Sequence, residues 1–327
     1  MRLVRAPMRI SYIGGGTDYL EYFKDSPGGA IAAAINQYVY VYSNPLSEVS
    51  DENFRFTYRE SESVSDYSLF RHPVVREMMG YLSWTSRTNM GTFADLPSGL
   101  GLGGSSAFAV AMAKILEKEN LESTPEDLAR LAIYVERELL REPGGVQDQY
   151  VAAYGGLRAY DFYSATNIMV SEMLLSEAEK TYLEERQLLI WLGQTRNSSS
   201  HSLTTIQSIN SKRFLLKETY EIYKETRDSL LSEIGNPEKT FALLTSAVQF
   251  GWNLKQKFTD FTDTRINTIL KIASEAGVDS FKICGAGGTG FLLLMAEPDQ
   301  LLSLKNRLIE YKTIKPKIDL EGCKIIV

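Results

Sequence analysis

An α+β protein of two domains is the fold class this sequence predicts, and three observations carry the prediction. At 327 residues the chain is long enough for two ordinary domains with a buried core. Helical spacings cluster late in the chain, and strand-like runs return at its end. Strands and helices do not alternate strictly, which disfavours a doubly wound parallel sheet. A boundary is expected near residue 186, giving domains over 1–186 and 187–327.

The elements follow in order. Met8–Ile13 reads as a short strand stopped by Gly14–Gly16, and the β-branched and aromatic run Tyr38–Tyr42 as another. Asn53–Tyr58 alternates as a half-buried strand does, His72–Leu82 has helical spacing, and Thr92–Leu96 leads into a glycine-rich loop. A helix is predicted over Ser105–Asn120 and a second to about Leu140, with Pro125 in its first turn behind the cap Thr124. A loop, Glu142–Gly145, and a short segment, Val146–Tyr154, follow. In the second half, Gln187–Gly193 reads as a buried strand, and helices are predicted over about 205–232, 237–258 and 263–276. Phe281–Cys284 and Phe291–Ala296 are apolar runs joined by Gly285–Gly290. A last helix is expected over Pro298–Tyr311, with an edge strand at Lys324–Val327.

Composition excludes several classes. Hydrophobic residues make up 44% and charged residues 23%, as in ordinary globular proteins. A net charge of -6 argues against a general nucleic-acid or membrane-surface binder, but a small anionic substrate needs only a local basic pocket. Cys284 and Cys323 cannot make a disulfide framework, and no Cys/His cluster suggests zinc. The arginines of the N-terminus precede no apolar h-region, and no apolar run reaches about 18 residues, so neither a signal peptide nor a membrane span is expected. A cytoplasmic location is the expectation. The oligomeric state is open, with a homodimer entertained.

Three glycine loops carry the chemistry. The central one, Leu96–Ala107 (LPSGLGLGGSSA), opens directly onto a helix. Glycines let backbone N–H groups approach an anion, and Ser105 and Ser106 add hydroxyls for a phosphate or a magnesium ion. A flexible loop with a serine cap is the plainer alternative. A Walker A loop is excluded because no lysine is present. Gly99, Gly101 and Gly104 satisfy GxGxxG, but the second strand and acidic residue of a dinucleotide site are missing. The last loop, Gly285–Gly290, repeats that pattern but precedes a strand, and alone it is a strand-to-strand turn. The first, Gly14–Tyr19, ends a strand and presents Asp18.

Phosphoryl transfer needs an anion cradle, magnesium ligands, a group to orient the hydroxyl and a cation for the developing charge. Ser106, Glu136, Asp148 and either Arg9 or Lys282 would supply all four. Asp148 follows the Gly144–Gly145 turn, and Glu136 lies twelve residues before it. Each is also readable as a solvated surface carboxylate. The two histidines, His72 and His201, lie in no nucleophile-elbow context, so a hydrolase is disfavoured.

Together the blocks RAPMRISYIGGGTDY, LPSGLGLGGSSA and KICGAGGTGF resemble the three motifs of the GHMP kinase superfamily, in order and separation, across nearly the whole chain. The resemblance implies an N-terminal domain like ribosomal protein S5 domain 2 and a ferredoxin-like C-terminal domain, with the active site between them. ATP phosphates would sit on Pro97, Gly99, Gly101, Gly103, Gly104, Ser105 and Ser106. Ser106 and Glu136 match magnesium ligands, Asp148 the catalytic aspartate and Arg9 a first-motif arginine. Asp18 falls where sugar-kinase members bind substrate hydroxyls.

Galactokinases carry a Glu-His pair where this chain has Gly15 and Gly16, which puts galactose in doubt and makes room. With Gln194–Ser200, the triple glycine is similar to the heptose kinase branch. Those members phosphorylate the anomeric hydroxyl of D-glycero-D-manno-heptose 7-phosphate on the way to nucleotide-activated heptose. Arg196 is then the candidate phosphate clamp, because a guanidinium matches phosphate geometry. Lys282 and Gly287 complete the substrate side. A kinase for a free sugar such as fucose or galactose, or a non-catalytic sugar sensor of the same fold, are the alternatives.

Overall fold

The computed structural model describes residues 1–327 except 119, 120, 194–197, 234, 259–263, 279 and 286–289. Two long strands organise the first part. β1 (Arg2–Ile13) and β2 (Gly28–Pro45), joined through the short helix α1 (Leu20–Phe23), pair antiparallel from Arg2↔Ser43 to Ile13↔Ile31. The ladder slips at Pro7/Met8 and at Ser11/Ile13, and bulges of this kind bend a strand and re-aim its side chains. Arg9 stands between the two slips. Next come β3 (Phe54–Thr57), β4 (Ser61–Val64), α2 (Pro73–Tyr81) and β5 (Thr88–Ala94). Then follow the helices α3 (Gly104–Ile115), α4 (Pro125–Ile133) and α5 (Gln147–Tyr154), and the hairpin β6 (Leu157–Ser164) and β7 (Asn167–Glu172).

α6 (Glu177–Glu185) leads to β8 (Gln187–Trp191). Four helices follow: α7 (Ser198–Ile209), α8 (Arg213–Ser232), α9 (Pro237–Phe258) and α10 (Thr264–Glu275). β9 (Ser280–Ile283), β10 (Phe291–Met295), α11 (Pro298–Arg307), β11 (Thr313–Ile314) and β12 (Lys324–Ile325) complete the chain. One sheet has the order β12-β1-β2-β5-β3-β4, with β6 pairing the first half of β2 and β7 pairing β6. The other has the order β11-β8-β10-β9 and is antiparallel throughout. The class is α+β, as the sequence predicts.

Packing explains the strand compositions. Ala30–Ala34 is fully buried, between the neighbouring strands and helices that include α3 and α8, and Gly29 leaves no room for a Cβ under the ring of Tyr223. β10 is apolar at every position because both its faces are covered. Phe291, Leu293 and Met295 join the main core, whereas Leu292 and Leu294 join a second core with Ile266, Ile269, Leu301 and Leu304.

Several elements differ from the sequence expectation. β1 and β2 extend well beyond Met8–Ile13 and Tyr38–Tyr42 because they pair with each other along their lengths. The helix expected over about 205–232 is two, α7 and α8, and the last helix stops at Arg307. Among the described residues, no helix is long and apolar enough to cross a membrane.

Candidate active site

The first two glycine loops and Gly285, the first residue of the third, line one cleft of about 270 Å³. Its walls come from β1 and the Gly14–Asp18 turn, the loop before α3, the end of α4, the start of α5, and the helices α7, α8 and α9. Gly103, left-handed at φ 73°, is the N-cap of α3, and no side chain caps that helix. Its first N–H groups are therefore left for an anion, as the glycine spacing implies. Pro97, Gly99, Gly101, Gly104, Ser105 and Ser106 all line the cleft. The second and third loops touch. A Cβ on Gly101 would lie 2.5 Å from the Cys284 carbonyl oxygen, so only glycine permits this approach.

Beside this cradle, Arg9 and Asp148 form a two-pronged pair. Arg9 Nε and Nη2 each donate to a carboxylate oxygen of Asp148 at 2.7 Å, and Nη1 donates to the Gly101 carbonyl. Burial works against the Arg9 charge, but the facing carboxylate outweighs it and the net shift is upward. Asp148 keeps acceptor capacity beyond these two bonds, because a carboxylate offers about four lone-pair sites.

Asp18 lies 2% exposed beside the Gly14–Gly16 turn of the cleft. Its Oδ1 accepts from the Gly16 N–H and its Oδ2 from Gln147 Nε2, both at 2.9 Å. Burial, and then the negative charge of Asp148, push it up to about 6. A Cβ on Gly145 would fall 1.8 Å from Asp18 Oδ2, which is why the turn before α5 is glycine there. A Cβ on Gly15 would meet nothing within 4 Å, so the triple-glycine turn opens space at that point.

Glu136 sits in a π-helical stretch, Tyr134–Leu139, that continues α4. Such insertions re-register a helix and recur at functional sites. The carboxylate is 4% exposed, accepting from Ser105 Oγ at 3.1 Å and from Gln149 Nε2 at 2.7 Å. Burial pushes it up to about 7 against those two bonds, with Glu142 adding repulsion. The hydroxyl bonded to Glu136 is thus that of Ser105, while Ser106 is buried in the same wall.

Lys282, on β9, is buried and donates to the Tyr12 carbonyl at 3.3 Å; burial pushes it down to about 8. Arg196 and Gly287 lie outside the described residues. Four groups of the cleft went unpredicted: Lys255 on α9, Arg137, Gln147 and Gln149. Arg137 donates to the Glu142 carbonyl and, at 2.8 Å, to Glu21. The Oε1 atoms of Gln147 and Gln149 are buried with no hydrogen-bond partner, two acceptors aimed at nothing the described protein supplies. The EPGGVQDQY run sets both glutamines next to Asp148, but residues one and two apart on a helix share no face, so spacing alone did not place them in the cleft.

Residues 74–156 match the family described as GHMP kinases N terminal domain. With the loops that line the cleft, the match marks a GHMP kinase N-terminal domain over those residues. It is 26% identical over 320 residues to a D-glycero-alpha-D-manno-heptose 7-phosphate kinase of Campylobacter jejuni, covering 93% of this chain and 92% of that protein. A galactokinase of Pyrococcus furiosus is 23% identical, covering 94% and 92%. Among solved structures, a D-glycero-D-manno-heptose 1-phosphate kinase from Bacteriodes thetaiotaomicron superposes with a TM-score of 0.79 at 20% identity, covering 100% of this chain and 99% of that one. The protein is an ATP-dependent sugar kinase.

Proposed function

We propose that this kinase transfers the γ-phosphoryl group of ATP to the anomeric C1 hydroxyl of D-glycero-D-manno-heptose 7-phosphate, giving the 1,7-bisphosphate used in nucleotide-activated heptose synthesis. The observation that carries the reading is the Arg9–Asp148 pair, set between the uncapped start of α3 and the buried Asp18. The name of the Campylobacter relative and the open space at Gly15 favour the heptose phosphate over galactose.

In this reading the backbone N–H groups at Gly103–Ser106 hold the nucleotide phosphates. Asp148 accepts the proton of the sugar hydroxyl and orients it in line, and Arg9 fixes Asp148 while adding positive charge beside the transfer. Asp18 and the free acceptor of Gln147 bind sugar hydroxyls. Arg196, with Lys282, answers the substrate phosphate.

Magnesium fits the residues present. Glu136, Ser105 and Ser106 offer hard oxygen atoms, and among the described residues no three His, Cys, Asp or Glu side chains cluster to hold a metal unaided. Phosphate oxygens and water would complete its shell, as Mg²⁺ prefers. When bound, the ion supplies charge neutralisation at the phosphates, with Ser106 and Glu136 as its protein ligands. The two-domain division, 1–186 and 187–327, is proposed with this mechanism; it is supported by β8, which opens the second sheet at Gln187.

The test is incubation with ATP, Mg²⁺ and the heptose 7-phosphate, followed by phosphorus NMR. A second phosphate resonance coupled to the anomeric proton is expected. Turnover of fucose or galactose with none of the heptose phosphate would sink the substrate assignment, and nucleotide binding without transfer to any sugar would favour a sensor.

A further inference from the structure

Two cations of the cleft play no part in the mechanism above, and one of them, Arg137, is committed to Glu21 and the Glu142 carbonyl. Lys255 lies near the C-terminal end of α9, half-buried, in the cleft wall. Its ammonium donates to the carbonyls of Ile283 at 3.1 Å and Gly285 at 2.6 Å, the residues on either side of Cys284. Those carbonyls begin the third loop where it rests on the second: a Cβ on Gly285 would fall 2.7 Å from Gly101 Cα. Arg9 holds the Gly101 carbonyl from the other side. A continuous set of contacts therefore runs from α9 through Gly285 and Gly101 to Arg9 and Asp148.

The charges around Lys255 make the cleft, by itself, a poor place for an ammonium. Facing it are Lys282 and the Cys284 thiol at the end of β9, and Arg9 of β1, two of the three being cations. Among the described residues no carboxylate forms an ion pair with it. Burial first, and Lys282 second, push it down to about 7. An anion entering beside it would reverse that imbalance. The two carbonyls occupy two of the three ammonium donors.

Resting on the kinase reading, we propose that Lys255 is a ligand for the polyphosphate of the bound nucleoside triphosphate. Its third N–H donates to a phosphate oxygen while the other two hold the third loop against the second. The nucleotide then takes up a proton at this lysine wherever the free amine is neutral. Affinity for ATP falls as pH rises above the lysine's own range, by up to about tenfold per unit.

The experiment is calorimetric titration of the full chain with Mg²⁺ and either ATP or adenosine, at pH 7 and pH 8.5, for the wild type, Lys255→Met and Lys255→Arg. K255M is expected to lose about tenfold or more in ATP affinity with adenosine binding unchanged. K255R keeps its charge, so it should bind ATP well at both pH values with a shallower pH dependence than the wild type; this arm stands even if K255M fails to fold. Equal ATP affinity for K255M and the wild type would overturn the proposal. So would a parallel loss of ATP and adenosine, the mark of a lysine that only pins the loop. Failure of the wild type itself to bind ATP would refute the kinase reading and, separately identifiable, would take this inference with it.

Discussion

Replacing Asp148 by Asn keeps the shape of the carboxylate and removes its charge and basicity, and its effects on stability and on turnover have separate sizes. The pair it breaks consists of two bonds of 2.7 Å to an arginine whose side chain is 7% exposed, against 21% for Asp148 itself. Removing one partner of a fully buried pair costs about 3–5 kcal/mol. Here the amide oxygen still accepts one bond, Gly101 still accepts another from Arg9, and water reaches Asp148. The cost is therefore nearer about 2 kcal/mol, a fall in Tm of about 4–8 °C for a long chain.

Turnover should fall much further. An amide cannot take the sugar hydroxyl proton, and a positioned base contributes about 10²–10⁴ in rate. The proposed phosphate cradle uses backbone N–H groups that the substitution leaves untouched, so ATP should bind almost as before. The assay is kcat by coupled ADP release beside calorimetric ATP affinity and a thermal melt. A variant with the expected fall in Tm and a kcat within about tenfold of the wild type would show that the pair is structural, and would remove Asp148 from the chemistry.

Two other substitutions probe the substrate end. Gly145→Ala places a Cβ where Asp18 Oδ2 now lies, at 1.8 Å, so Asp18 or the turn must move. Destabilisation of about 1–3 kcal/mol and a raised KM for the sugar are expected, with the KM for ATP unchanged; an unaltered sugar KM would show that Asp18 does not bind substrate. Asp18→Asn tests the pH linkage. Because Asp18 is pushed up to about 6, the folded protein holds its proton more tightly than the unfolded chain does, where the ordinary value is about 4. Its contribution to stability is therefore present below about pH 4 and lost as pH rises through about 6. The variant should lack that loss and should melt no lower than the wild type at pH 7. Parallel Tm profiles for both proteins between pH 4 and 6 would refute the assignment.

Local chemistry made part of the fold legible. Thr124 and Asp127 exchange the capping-box bonds, and Pro125 starts α4 where the sequence places it. The strand Gln187–Trp191 and the start of α9 at Pro237 were also visible, the first from a compact apolar run and the second from helical spacing. The Ala-rich first half of β2 was not, because alanine has little strand preference. Pairing to β1 on one side and β6 on the other decides its conformation. The hairpin β6–β7 and α6 were missed although signals existed. Ser176 and Glu179 form a second capping box, and the two strands meet at a short turn between Ser164 and Asn167.

The site divides along the same physical line. Where a backbone must come close to another group, only glycine fits, and the need is written into the sequence at Gly101 and Gly145. Where a charged side chain must be buried, nothing local records it. Lys255 reads as an ordinary cation near a helix C-terminus, with Lys257 two residues on, until α9 is laid across β1 and β9. Arg137 reads as a helix charge until the π-helical stretch turns Glu136 and Arg137 into the cleft. The same stretch brings Glu136 to Ser105, not Ser106, a one-residue choice that no spacing rule contains. The glycines of this cleft thus mark where backbones must come close, whereas the placement of Lys255 depends on how α9, from the second half of the chain, lies across β1 and β9. That is why the chemical class could be read from three loops, and why Lys255, three contacts away from the Arg9–Asp148 pair, could be found only in the fold.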